Sequence, residues 1–365
     1  MKKLFFIAAL AGAALVSCTK NEGVETPEQD VITFAEPVTA LSTKAVEIGE
    51  NYPTSQNFSV FAHYYTEAEG GYTTFAEGDL YMDDVETSYN SDIKGWDPKT
   101  GSGVNYYWPK QGTLTFAAYS PSKVDATYDK EGIHFANYTV DTDCTKQYDL
   151  LYSERSYDQT KEMMVTNAPY NGVQIKFNHA LSSILFTVRT DADYAADNFN
   201  IVLKKISIKN VLSQATFNQG LEDGNGEVTK PVADHFGWAG HSYKKEYVAY
   251  NSSKVLSTVA SFTENISVTD PRQNDTQNTN LILLPQEFSD QQLYIEYQIV
   301  NKNVGSDETV VNQNATFNLN YYGDGWKRGY RYVYNLTFGF DKIYFDPVVT
   351  EWDEVVVTPD VEIGK

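Results

Sequence analysis

Thr113-Leu114-Thr115-Phe116-Ala117-Ala118-Tyr119, halted by Ser120-Pro121, is the stretch on which the fold turns. It is short, β-branched and aromatic, and it ends at a residue that cannot continue a ladder, which is the signature of a strand. The same reading extends along the chain. Phe58-Ser59-Val60-Phe61-Ala62-His63-Tyr64 alternates apolar with small or polar residues, and Val31-Ile32-Thr33-Phe34 is a shorter version. Further strands are expected at residues 133–140, 148–152, 173–177, 183–188, 201–208, 280–284, 293–300, 315–320, 330–340 and 355–357. Gly, Pro, Asn and Asp separate them. No stretch sustains a 3.6-residue apolar stripe behind a capping residue. Strands at this spacing without intervening helices favour β-sandwiches over parallel α/β folds. The 365-residue length accommodates two domains, and a boundary is expected near Asn167-Ala168-Pro169.

Composition narrows the function. The chain has 28 Lys and Arg against 49 Asp and Glu, a net charge of −21. Nucleic-acid binding needs clustered basic residues on phosphates, so this balance argues against it. Aromatic residues make up 14%, with 27 Tyr, too many for a disordered acidic chain. The 2 cysteines, without a C-x-x-C, supply neither a disulfide framework nor a cysteine-rich zinc site.

The N-terminus reads as an address. Met1-Lys2-Lys3 and the apolar run from Leu4 to Val16 form a secretory signal, too short to span a bilayer. Leu15-Val16-Ser17-Cys18 resembles a bacterial lipobox. That resemblance implies removal of residues 1–17 and a diacylglycerol and palmitate on Cys18, enough chains for stable attachment. The alternative is an ordinary signal peptide with a chance cysteine. Residues 19–30 are polar and acidic, a tether. Cys144 is then expected to be a small buried hydrophobe.

Catalytic and metal-binding patterns are scarce. His63, His134, His179, His235 and His241 match no zinc signature, and there is no G-x-S-x-G, H-E-x-x-H or phosphate-cradling glycine loop. The acidic pairs Asp83-Asp84 and Glu222-Asp223 are expected by chance among 49 acids. Asp223-Gly224-Asn225-Gly226-Glu227 has oxygens spaced for calcium but lacks a bidentate terminal Glu in the right place, so a surface turn is expected. The expectation is a non-enzymatic protein with no catalytic residue, no metal and no cofactor beyond the lipid. Exposed Tyr and Trp stacking on sugar rings offer a rival function, a monomeric surface lipoprotein binding glycans. The competing explanation is that the aromatics pack the cores.

Taken in order, several blocks resemble the fimbrillin superfamily of Bacteroidetes, the type V pilus subunits and related surface lipoproteins. They are Cys18 with its tether, Val31-Ile32-Thr33-Phe34, Thr43-Lys44-Ala45, Tyr107-Trp108-Pro109 through Pro121, and Phe177-Asn178-His179-Ala180-Leu181-Ser182. Leu283-Leu284-Pro285-Gln286, Trp326-x-x-Gly329-Tyr330-x-Tyr332-x-Tyr334-x-Leu336 and Val349-Thr350-Glu351-Trp352 complete the set. The resemblance implies an all-β chain of two tandem transthyretin-like sandwiches, residues 45–168 and 169–365, after a signal peptide (1–17) and a lipidated tether with a removable first strand (18–44). It implies export to the outer membrane and fimbrium, a role in adhesion, and other fimbrial subunits as partners, whether copies or paralogues. A host glycan or protein receptor is a further expected partner.

The same resemblance places proteolytic processing at Lys44-Ala45, removing the strand that holds Ile32 and Phe34. Loss of a strand exposes unpaired backbone that invites another strand, and a head-to-tail contact of this kind builds filaments. Position 44 is lysine where the best-known processing enzyme of the family prefers arginine, so a trypsin-like enzyme, an uncleaved anchor or an incidental lysine all stay open. The tail at 353–365 is the expected donor. Val355, Val357, Val361 and Ile363 share one parity while Thr358, Asp360 and Glu362 share the other. An ordinary last strand with a frayed end is the alternative.

Overall fold

The computed structural model describes residues 30–39, 52–65, 79–98, 105–129, 131–164, 172–190, 199–220, 237–256, 268–269, 278–279, 281–301, 310–339 and 343–351. Within them the chain is almost entirely β, as the sequence predicts. Helical structure among the described residues is limited to short 3-10 turns at Cys144–Lys146, Lys161–Met163 and Leu319–Tyr321.

Two strands chosen from sequence anchor the first sheet. Phe58–Tyr65 and Thr113–Ser120 run antiparallel, in register from Ser59 opposite Tyr119 to Tyr65 opposite Thr113. Around them the sheet runs Val38–Thr39, Lys176–His179, Leu151–Ser153, Thr113–Ser120, Phe58–Tyr65, Asp79–Asn90 and Gly95–Pro98, with Ser156–Gln159 also alongside Thr113–Ser120. Because side chains alternate across a strand, Phe58, Val60, Ala62, Leu114, Phe116 and Ala118 share one face. That face fills the smaller of two hydrophobic cores. Phe61, Ala117 and Tyr119 point the other way and join the larger core, so this pair of strands is buried on both sides.

The larger core belongs mainly to two further sheets. Phe199–Asn218 pairs along one edge with Trp238–Val255. Along the other it pairs first with Gln292–Asn301 and then with Gly132–Thr139. Val310–Asn318 lies outside Gln292–Asn301, and Thr127–Asp129 outside Gly132–Thr139. The other sheet orders Leu281–Leu283, Ser182–Thr190, Tyr330–Phe338 and Ile343–Glu351. Its central pair is parallel, Ser183 opposite Arg331 through Thr190 opposite Phe338.

Aromatic rings link the first sheet to this larger core. Phe61 stacks on Tyr128 at 5.3 Å, Tyr119 meets Phe135 at 5.7 Å, Phe135 meets Phe217 at 5.5 Å, and Phe217 meets Trp238 at 5.1 Å. The chain crosses between sheets more than once around the expected boundary at residues 167–169. Gly132–Thr139, before it, pairs with Phe199–Asn218, while Lys176–His179, after it, sits in the first sheet.

The Trp326-to-Leu336 block explains itself in this core. Trp326, Tyr332, Tyr334 and Leu336 are buried, and Trp326 Nε1 donates to the Tyr334 hydroxyl at 2.9 Å. The Tyr332 hydroxyl accepts from the Lys327 amide at 2.8 Å, and burial pushes its phenol up to about 12. Gly329 turns the chain between them at φ +71, a conformation that side chains with a Cβ rarely adopt.

Candidate functional site

The first sheet has two ends, Gly95–Pro98 and Lys176–His179, and residues 30–39 bridge them. On one side the segment is antiparallel. The Ile32 amide donates to Tyr106 O at 2.8 Å and the Trp108 amide to Asp30 O at 2.8 Å, while Phe34 and Trp96 exchange both backbone bonds at 2.9 Å. On the other side it is parallel. Val173 donates to Thr33 O at 2.8 Å, Ala35 to Val173 O at 3.0 Å, and Val38 to Ile175 O at 3.0 Å, before Val38 and Thr39 pair with Lys176 and Phe177. An N-terminal segment thus closes the sheet on itself with main-chain bonds on both flanks.

Its side chains enter the smaller core. Ile32, Phe34 and Ala35 are each 0% exposed. The Phe34 ring sits edge-on to Phe58 at 5.8 Å and to Phe116 at 5.5 Å, a favoured aromatic geometry. Tyr52 lines the same core, stacking on Phe177 and meeting Trp96 edge-on. Its hydroxyl hydrogen-bonds Ser120 Oγ at 2.7 Å, and burial raises its phenol far above the ordinary tyrosine range.

Gly172 shapes the slot. A Cβ there would fall 2.5 Å from the Phe34 carbonyl carbon and 2.6 Å from the Ala35 nitrogen, so only glycine lets the segment approach. Gln174 Nε2 donates to Glu36 O at 2.7 Å, and partial burial raises the Glu36 carboxyl. Asp30 pairs with Lys161 at the surface, a contact worth about 1 kcal/mol at most.

Of the residues expected to act in assembly, Ile32 and Phe34 are brought into this slot. Cys18, Lys44, Ala45, Val355, Val357, Val361 and Ile363 lie outside the described residues, as do His235 and the 223–227 turn. The other histidines are dispersed. His134 lies between Asn218 and Asp129, His179 against Asp149, and His241 against the Pro285 carbonyl, while His63 is buried in the first sheet. No group of three or more His, Cys, Asp or Glu gathers among the described residues. Asp84 has a packing role, accepting from the buried Tyr119 hydroxyl at 2.5 Å.

Trp96, Trp108, Trp238 and Trp326 are all buried, so the aromatic content goes largely into cores, and Cys144 is buried too. No helix among the described residues is long and apolar enough to cross a membrane. Sequence reasoning found Ile32 and Phe34 but not Gly172, Gln174 or the Trp96 and Tyr106 edge. Gly172 after Asn171 has the look of an ordinary turn, and nothing local announces the backbone passing over it.

The fold and slot define a class: an all-β protein whose first sheet is completed by its own N-terminal extended segment. Residues 43–352 match the fimbrillin-like family, and the chain belongs to it. Among solved structures, a fimbrial protein from Bacteroides vulgatus is similar at 18% identity and a TM-score of 0.57, over 87% of this chain and 99% of that one. At this identity the likeness speaks to the fold. A candidate cell adhesion protein from Bacteroides ovatus aligns at 15% identity and 0.48, over 89% and 98%. Another from Bacteroides uniformis aligns at 14% and 0.45, over 88% and 98%. No curated protein sequence matches the chain.

Proposed function

We propose that this chain is the precursor of a structural subunit of a type V-like fimbrium, acting at the cell surface in adhesion. It is exported as a lipoprotein, with diacylglycerol and palmitate on Cys18 holding it at the outer membrane. A trypsin-like protease cuts at Lys44-Ala45, and residues 31–39 leave with the leader. The vacated position between Trp96 and Val173 then receives the extended tail of another subunit, with Val355, Val357, Val361 and Ile363 pointing into the core.

The observation that carries this reading is the inserted segment. It is bonded on both flanks and buries Ile32 and Phe34, yet it lies ahead of the family match and five residues before Lys44 in the sequence. Removing it leaves two sheet edges with open donors and acceptors facing an apolar cavity, the chemistry that main-chain strand addition satisfies. Head-to-tail addition does not close on itself and yields a filament.

Limited trypsin digestion of the full precursor tests it. The expected result is trimming at Lys44 followed by ladders on denaturing gels that collapse on heating and vanish when residues 355–365 are deleted. A trimmed product that stays a sharp monomer band and binds glycans on an array would overturn it in favour of the monomeric binder.

A further inference from the structure

Two other edge strands among the described residues carry protections against pairing. Trp238–Val255 pairs only with Phe199–Asn218 among the described residues. It bears Lys244, Lys245, Glu246 and Lys254, and its register breaks at several irregularities. Ile343–Glu351 carries Asp346 and Pro347. Charges, proline and bulges are the devices that keep an edge from recruiting a partner.

Val310–Asn318 has none of them. Its sequence, Val310-Val311-Asn312-Gln313-Asn314-Ala315-Thr316-Phe317-Asn318, is uncharged and free of proline and glycine, in a chain of net charge −21. Its register with Gln292–Asn301 is unbroken from Gln292 opposite Asn318 to Val300 opposite Val310. Among the described residues it pairs on that side alone. Residues 310–314 are exposed on both faces, with Val310 at 42% and Val311 at 44%. Val311, Gln313, Ala315 and Phe317 continue the face on which Leu293, Ile295, Tyr297 and Ile299 are buried, so Val311 overhangs the core.

We propose that this edge docks the same strand of a second copy, antiparallel, about a twofold axis through Asn314. That register sets Val311 against Phe317 and Gln313 against Ala315 on the core side. It sets Asn312 against Thr316 and Asn314 against its own copy on the outer side. Val311 meets Phe317 and Asn314 meets its own copy, Gln313 and Asn312 face the small neutral Ala315 and Thr316, and no charge faces another across nine residues, so the strand is compatible with itself. Isologous pairing closes as a dimer. On the outer face Gln298 donates to Asn312 and Gln292 to Asn318, each at 2.9 Å, and Glu296 of the neighbouring strand lies opposite Asn314. The proposal is independent of strand exchange, because this edge belongs to a different sheet from the leader slot.

The full precursor with its leader in place is the material for the test, in a Cys18→Ser background; Cys144 is buried. Sedimentation velocity across a concentration series is expected to show reversible dimers. Val311→Lys, an exposed substitution that leaves the thermal melt unchanged, is expected to raise the dissociation constant about tenfold or more. On mild oxidation Asn314→Cys is expected to give a disulfide dimer, since directly opposed residues lie about 4.5–5.5 Å apart, within disulfide reach. Asn312→Cys is expected not to, being four positions out of register with its copy, on the order of 13 Å. A monomer at every concentration, a dimer indifferent to Val311→Lys, or equal cross-linking at 312 and 314 overturns the proposal. So does capture of a peptide of residues 353–365 at this edge by a chain that never dimerises.

Discussion

Truncating Phe34 to alanine isolates what the N-terminal segment contributes to the folded chain. Its ring is completely buried and makes edge-on contacts with Phe58 and Phe116. Removing a phenylalanine from a closed core costs about 3–5 kcal/mol, the transfer loss plus the cavity left behind. Each lost edge-on pair accounts for about 0.5–1.5 kcal/mol of that. Val38 in the same segment is 44% exposed, so Val38→Ala is expected to stay within about 0.5 kcal/mol. Urea titration followed by tryptophan fluorescence reads the difference, because Trp96 shares two backbone bonds with Phe34. For an unfolding slope of roughly 3 kcal/mol per molar urea, the Phe34→Ala transition of the first core moves down by roughly 1–2 M. Midpoints for Phe34→Ala and Val38→Ala that coincide would refute the claim that this segment is part of the core.

Further outcomes follow from individual contacts. Gly172→Ala forces a Cβ against the backbone of residues 33–35. It is expected to cost about 1–3 kcal/mol and to speed hydrogen exchange at the Ile32, Phe34 and Ala35 amides while leaving those of 183–188 unchanged. Tyr334→Phe strands the buried Trp326 N–H and is expected to cost about 1–3 kcal/mol by thermal melt. Burial, reinforced by Arg155 and opposed by Asp83, holds the His63 imidazole below its ordinary value of 6.5. The unfolded chain then binds the proton more readily, so this residue's contribution is lost as pH falls from 6.5 through the lowered folded value. Between about pH 7.5 and about pH 5.5, His63→Gln is expected to lose less stability than the native chain in urea titrations.

Much of the strand content was legible because it lies in short alternating runs. The 58–64 and 113–119 stretches appear almost as read, and 133–140, 183–188 and 293–300 shift by a residue or two. Strands that sequence reasoning passed over are those whose composition hides them. Asp79–Asn90 is rich in exposed acids, Trp238–Val255 is a polar edge with few buried side chains, and Ile343–Glu351 contains Pro347. Phe199–Asn218 runs well past the 201–208 read from sequence, because the apolar alternation breaks at Lys209-Asn210, where Asn210 takes a positive φ and the register shifts.

Pairing was the less legible part. Ser182–Thr190 lies parallel to Tyr330–Phe338, and Val38–Thr39 parallel to Lys176–Phe177, contacts across well over a hundred residues that no local pattern encodes. In the slot, the inserted side chains announced themselves as an apolar alternating run. The glycine and the backbone edges that receive them did not, because their role lies in what approaches them.

The double burial of Phe58–Tyr65 and Thr113–Ser120 has a mechanical consequence. These strands form the floor beneath Phe34, and Phe135, Tyr128 and the larger core brace that floor from underneath. Residues 30–39 therefore load only the upper surface of that floor. A floor braced in this way would hold its shape if the segment above it were withdrawn, which the proposed strand exchange requires.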